Sequence, residues 1–287
     1  KTFRYSLENS GYGVREISLE HPVAEDINII VLADMRSDFT EEEFRNFDAY
    51  LERGGNLFIL GEPKRQQFMN PVIERLGLRF ADGIIVSPSE VNLDDLVAAN
   101  IKEGAAKVSE NYIRYFRSGY SIMTPSACAV EVIDSAKGFE ITEVLASAGK
   151  GSWVEKETTD FINEKSVLNP AVGEVEKSNS IMLYLTRPVN NKEQRIFVIG
   201  DADCISTLEL SQNRPGFRSS NFTLITETFR NLSYGEFPVE ASRVNPPDDR
   251  VLVTRNVIFG IRVVLMWIIP LLFVTGCITL LIRRKRK

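Results

Sequence analysis

From Val263 to Ile282 the chain reads VVLMWIIPLLFVTGCITLLI, 20 residues without a charge. At a helical rise of ~1.5 Å per residue this run is ~30 Å long, the thickness of a bilayer core. It predicts one membrane-spanning helix. Pro270 and Gly276 inside it are compatible with that, because neighbouring helices can satisfy the freed backbone groups. Five basic residues, Arg283 to Lys287, follow at once, and a basic cluster abutting an apolar span marks its cytoplasmic side. On the other flank Arg250, Arg255 and Arg262 are offset by Asp248 and Asp249. The charge bias predicts a cytoplasmic C-terminus and an extracytoplasmic body.

The rest of the chain has the composition of a folded domain. Hydrophobic residues at 44% and charged ones at 25% of 287 residues exclude a largely disordered chain and a polytopic membrane protein. That length allows two domains or one large α/β unit. The net charge is -5, and the basic tail supplies +5, so residues 1 to 282 carry -10. An acidic body excludes nucleic acid as a partner, since that affinity comes from basic residues neutralising phosphates. Of three cysteines, Cys277 lies in the span, while Cys128 and Cys204 sit among apolar neighbours and are expected as buried free thiols. The chain opens at Lys1 without an initiator methionine or signal peptide; with an exported body, the expectation is a fragment whose upstream membrane helices are missing.

Ile27 to Ala33 (INIIVLA) is a continuous apolar run, as in a strand covered on both faces, and Val14 to Leu19 (VREISL) alternates as a strand does. Thr40 stands three residues before Glu43, a capping box, and Phe44, Phe47, Tyr50 and Leu51 recur at helical spacing until Gly54 and Gly55. A strand over Asn56 to Leu60, a helix over Phe68 to Leu76 stopped by Gly77, and a strand over Gly83 to Val86 follow. This alternation predicts a parallel sheet with helices on its faces. In the middle, Leu93 to Val108 reads as a helix, while Ser121 to Ile133 and Phe139 to Ala146 are expected as irregular or antiparallel elements. Ile181 to Thr186 and Arg195 to Ile199 predict a hairpin turning at Asn190 and Asn191, and Phe217 to Leu232 predicts an amphipathic helix. Glu236 to Arg250, with Pro238, Pro246 and Pro247, reads as a linker.

Several chemistries are excluded. The single histidine, His21, precedes Pro22 in an expected loop, which rules out multi-histidine zinc sites and conventional triads elsewhere and leaves a solvated side chain. Gly54 and Gly55 end a helix, whereas a phosphate-cradling glycine run opens one. Asn221 and Asn231 match the glycosylation pattern but fall on a predicted helix. One constellation remains: Asp34 after IIVLA, Glu62 after LFILG, and Asp201 with Asp203 after IFVIG. Ligands of open α/β sheets bind outside the carboxyl ends of the strands, so Asp34, Glu62, Asp201 and Asp203 are candidate ligand-binding residues for a cation or a sugar. The alternative is that these acids cap helices or pair with Arg36, Lys64 and Arg65.

The segments FTEEEFRNFDAYLERGGNLFILGEP, VIERLGLRFADGIIV, GSWVE and IFVIGDADCIS, followed by SSNFTLITETFRNL and the proline-containing span, together resemble the GldG-like auxiliary domains of ABC transport systems of the gliding-motility exporter type. The resemblance implies an α/β fold with a mostly parallel sheet flanked by helices, amidotransferase- or flavodoxin-like, with an irregular middle insertion and a C-terminal transmembrane helix. It also implies that amidotransferase chemistry is absent, since Cys128 and Cys204 have only His21 to draw on, and it assigns no catalytic role to Asp201 or Asp203. The expected organisation is an extracytoplasmic domain over 1–235, a linker over 236–262, a span over 263–282 and a cytoplasmic tail over 283–287. The expected function is a non-enzymatic, cofactor-free component of an ABC transporter in a bacterial inner membrane, beside a permease and a separate ATPase. The alternative is a membrane-anchored carbohydrate or ligand sensor using the four acids.

Overall fold

The chain enters through α1 (Thr2–Asn9) and reaches β1 (Ile29–Ala33) without further regular structure. The computed structural model describes residues 2–212, 214, 216–238 and 255–286, which fall in two compact units, Lys1–Val239 and Glu240–Lys287. Helix α2 (Glu41–Glu52) starts with the expected reciprocal capping box between Thr40 and Glu43. Val14 to Leu19 is not a strand. Side chains take a carbonyl at each of its ends, Val14 O from Arg4 and Leu19 O from Asn46 Nδ2 of α2, and Arg53 donates to the carbonyls of Val23, Ala24 and Ile27 in the chain that follows. Carbonyls satisfied by side chains need no ladder partner.

Next come β2 (Asn56–Leu60), α3 (Gln66–Ile73), one 3-10 turn ending at left-handed Gly77, and β3 (Leu78–Phe80). Strand β4 (Ile84–Val86) follows, then β5 (Leu96–Ile101), α4 (Glu110–Arg117), β6 (Ser121–Pro125), β7 (Val130–Val132), β8 (Glu140–Ala146) and β9 (Trp153–Glu155). The hairpin of β10 (Ser180–Val189) and β11 (Lys192–Ile199) turns at Asn190 and Asn191, both left-handed, and α5 (Thr207–Ser211) and α6 (Asn221–Leu232) complete the first unit.

Seven strands form one sheet in the order β1-β2-β11-β10-β8-β5-β6. Among the described strands of this sheet, β1-β2 and β2-β11 pair in parallel and the other four pairings are antiparallel. The expected mostly parallel sheet is therefore corrected to a mixed, mostly antiparallel one. The reason lies in two places. Strand β4 leaves the sheet to pair with β9, which ends the parallel series after two strands. The middle of the chain then supplies sheet strands rather than an insertion. Within it, the helix expected over Leu93 to Val108 is replaced by β5 and a 3-10 turn, because Val97, Ala99 and Ile101 alternate inward with period two.

The sheet is covered on both faces. In β2, Leu57 and Ile59 face one core with Phe47 and Tyr50 of α2 and Met69 and Ile73 of α3. Phe58 and Leu60 face the other, with Leu7 of α1, Tyr112 of α4 and Leu224, Ile225 and Phe229 of α6. In the second unit, α7 (Arg255–Val263), a π-turn over Val264–Ile268 and α8 (Ile269–Lys285) form one continuous helix. Its stretch Val257–Lys285, 29 residues, is long and apolar enough to cross a membrane. The π-turn precedes Pro270, which has no N–H to give to the preceding turn, and Ile269 N–H reaches back to Val264 O instead. The linker expected over 236–262 falls largely on residues 239–254, which lie outside the described residues.

Candidate functional site

Strands β1, β2 and β11 end level with one another: Ala33 and Ile199 both pair with Leu60. The ladder runs one step further, with Asp34 N–H on Leu60 O at 3.2 Å and Gly61 N–H on Ile199 O at 2.7 Å. The acids that follow these strands are thereby brought to one edge, though their environments differ. Asp34 adopts a left-handed backbone and its carboxylate is held by Arg36 at 2.6 Å and Arg65 at 3.5 Å. Asp203 is exposed. Glu62 is half-buried, and burial, then the charges of Asp203 and Asp34, push its carboxyl up to about 7.

Asp201 is fully buried. Its Oδ1 accepts from the N–H groups of Asp203 (2.7 Å) and Cys204 (3.2 Å), the first two residues of the 3-10 turn Asp203–Ile205, while Oδ2 has no hydrogen-bond partner among the described residues. Burial, then the neighbouring Glu62, push this carboxyl well above the usual carboxylate range.

Gly200 explains how an acid at a strand end becomes buried. Residues Ala127 to Ala129 cross the edge here, with Cys128 N–H donating to Gly200 O at 2.8 Å, and a Cβ on residue 200 would lie 1.9 Å from Cys128 O. The same crossing accepts Ile85 N–H on Ala127 O and Ala81 N–H on Ala129 O. The space that an open α/β sheet leaves for ligands is filled by chain over β11. Cys128 and Cys204 are both buried free thiols. Burial first, then Glu62 and Asp201 for Cys128 and Asp201 and Asp203 for Cys204, hold them above the ordinary thiol range, so they rest as thiols rather than nucleophilic thiolates.

Among the described residues, no group of three or more His, Cys, Asp or Glu is placed to hold a metal ion. Two clefts of about 520 and 490 Å3 are lined elsewhere, and none of the four acids contributes to either. His21 is exposed in its loop.

A second set of acids escaped sequence reasoning. Asp94, Glu155 and Glu174 are buried in the loops around β4 and β9, each accepting backbone N–H groups: Ser166 on Asp94, Glu157 and Thr158 on Glu155, Lys156 and Asn169 on Glu174. The local signal was the GSWVE segment, where Glu155 also accepts from Trp153 Nε1 at 3.2 Å.

Similarities to known proteins bear on this arrangement as follows. Residues 1–232 match the family described as an ABC-type uncharacterized transport system. No curated protein matches the chain in sequence. Among solved structures, the mmIFT52 N-terminal domain superposes with a TM-score of 0.57 at 16% identity, over 82% of this chain and 91% of that one. A ThuA-like protein from Parabacteroides merdae ATCC 43184 gives a TM-score of 0.41 at 12% identity, over 86% of each chain. The first likeness concerns the fold alone. The family match spans most of the chain, so this protein belongs to the GldG-like auxiliary family and is a non-enzymatic auxiliary component of an ABC-type transport system.

Proposed function

We propose that the unit Lys1–Val239 is the extracytoplasmic domain of an exporter-type ABC system, anchored in a bacterial inner membrane beside a permease and a separate ATPase subunit. The observation that carries this reading is the uninterrupted apolar helix ending in Arg283, Arg284 and Lys285, on a chain matched to an ABC-transport family. Positive charge flanking a span is retained on the cytoplasmic side. The working limits are a globular domain over 1–235, a linker over 236–262, a span over 263–282 and a tail over 283–287. Kinship with class I amidotransferases draws support only from the parallel strands β1, β2 and β11; the buried thiols of Cys128 and Cys204 speak for a lineage without that chemistry.

Topology is tested by labelling single added cysteines with an impermeant maleimide. In intact spheroplasts Ser89→Cys should react, and Lys287→Cys should react only after lysis. The opposite pattern would put the body in the cytoplasm and overturn the reading.

A ligand-sensing role for Asp34, Glu62, Asp201 and Asp203 is the second reading. It is favoured by the unpartnered Oδ2 of Asp201 and by the lack, among the described residues, of an ion pair within 4 Å for Glu62 or Asp203. A thermal-shift screen of divalent cations and saccharides on the full chain in detergent tests it. A shift abolished by Asp201→Asn with Asp203→Asn supports sensing; no shift removes it.

A further inference from the structure

The loops that join β4 to β5 and follow β9 hold little regular structure, yet they are pinned to each other. The Asp94 side chain, fully enclosed, accepts Ser166 N–H at 2.8 Å and Lys165 Nζ at 3.0 Å, and the same Nζ reaches Ser89 O at 3.0 Å. Asp160 holds the next turn by accepting the N–H groups of Ile162 and Asn163. Phe161, Trp153, Ile84 and Val86 close a small apolar cluster beneath. Above it the same loops hold apolar side chains in water: Val91 is 85% exposed, Ile162 80% and Val167 73%. Singly such residues need no explanation. Here they sit on two loops locked together by buried hydrogen bonds, so the apolar surface is presented in a fixed arrangement.

The charges around it are acidic. Glu90, Glu157, Asp160 and Glu164 are exposed; of the two lysines on these loops, Lys165 is committed to Asp94 and Lys156 donates to Val172 O. An apolar centre with a charged rim is the anatomy of a protein interface, and its sign selects the partner. A second copy docked through the same patch would set acid against acid. An anionic membrane surface would repel the rim.

We infer that the paired loops bearing Val91, Ile162 and Val167 form a docking surface for an apolar, basic-rimmed face of the transporter's membrane subunit. The inference rests on the reading of this chain as a permease partner, and the experiment separates the two. The full chain is co-expressed with the permease and ATPase subunits and purified in detergent through a tag on this chain. Permease recovery should fall about tenfold for Val91→Ser with Ile162→Ser and Val167→Ser, the loss of roughly 1.4 kcal/mol of binding. It should also fall for Glu90→Lys with Glu164→Lys, with unfolding temperatures unchanged in both. A photoreactive benzophenone side chain at residue 162 should cross-link to permease, and one at exposed Leu208 should not. Full recovery by both variants overturns the docking surface while leaving permease association intact. Cross-links from residue 162 to lipid or to a second copy overturn it too. Failure of the unmodified chain to recover permease overturns both the surface and the partner reading.

Discussion

Two of the regions in which the first unit buries acids treat them in opposite ways. At the edge of the parallel strands, burial drives the carboxyls of Glu62 and Asp201 upward, joined by the charges of Asp203 and Asp34 on Glu62 and by that of Glu62 on Asp201. In the loops around β4 and β9, burial acts in the same direction on Asp94 and Glu155. There it is outweighed by backbone N–H groups, from Ser166 on Asp94 and from Thr158 and Glu157 on Glu155, and both carboxyls end below the ordinary range. Asp201 collects two backbone N–H groups as well, so what separates the regions is deeper burial among other acids at the edge, against hydrogen bonds from N–H groups, Lys165 and Trp153 in the loops. In the loops the acids substitute for missing secondary structure by collecting N–H groups that no ladder satisfies.

The comparison is broken most severely at the edge itself. Gly200→Ala should destabilise the protein by about 3 kcal/mol or more, because the new Cβ meets the backbone of Cys128 and neither segment can relax alone. Thermal unfolding of the full chain measures this, and a change under 1 kcal/mol would show that the crossing over β11 is loose. In the loops, Asp94→Ala leaves Ser166 N–H and Lys165 without their acceptor. The expected cost is about 2–3 kcal/mol, with faster hydrogen exchange confined to residues 87–95 and 160–168. Exchange that rises throughout the sheet instead would mean that the loops are not a separate layer.

Smaller effects distinguish the protonation states. Since Glu62 titrates at about 7 in the folded protein against an ordinary 4.5, the folded state holds a proton that the unfolded chain has lost between those values. Its contribution to stability is complete below about pH 4.5 and is lost as pH rises toward 7. Glu62→Gln should flatten the fall in unfolding temperature across that window; an unchanged slope would assign the pH dependence to other groups. Asp201→Asn replaces a carboxyl whose charged form is disfavoured by burial and by Glu62, so its effect at neutral pH should be the smallest, under about 1 kcal/mol. A larger loss would mean that Asp201 is ionised in the fold.

Legibility followed the range of the interactions. The capping box of Thr40 and Glu43, the stop at Gly77, the asparagine turn of the β10–β11 hairpin and the apolar run to Ile282 are each specified within a few residues, and each could be read directly. Sheet order could not. Val14 to Leu19 alternates as a strand would, yet it forms no strand, and its end is held instead by Asn46 of α2 through Leu19 O, a contact 27 residues away in the chain. Val97, Ala99 and Ile101 alternate with the period of a strand, but that β6 and β8 pair with this strand has no local signal. The departure of β4 to meet β9, nearly 70 residues on, has no local signature.

The four acids divide in the same way. That each follows an apolar strand, and that β1, β2 and β11 are strands, is written in the residues themselves. Which acid is neutralised, which is buried and which stays exposed was decided by tertiary contacts: Arg36 and Arg65 closing on Asp34, and the chain around Cys128 lying across Gly200. By itself the sequence determined the local elements, the membrane helix and the acidic character of the body, because these depend on near neighbours and on composition. The direction of the strands, the closure of the edge and the pinning of two distant loops through Asp94 needed contacts between residues far apart in the chain, and those exist only once it has folded.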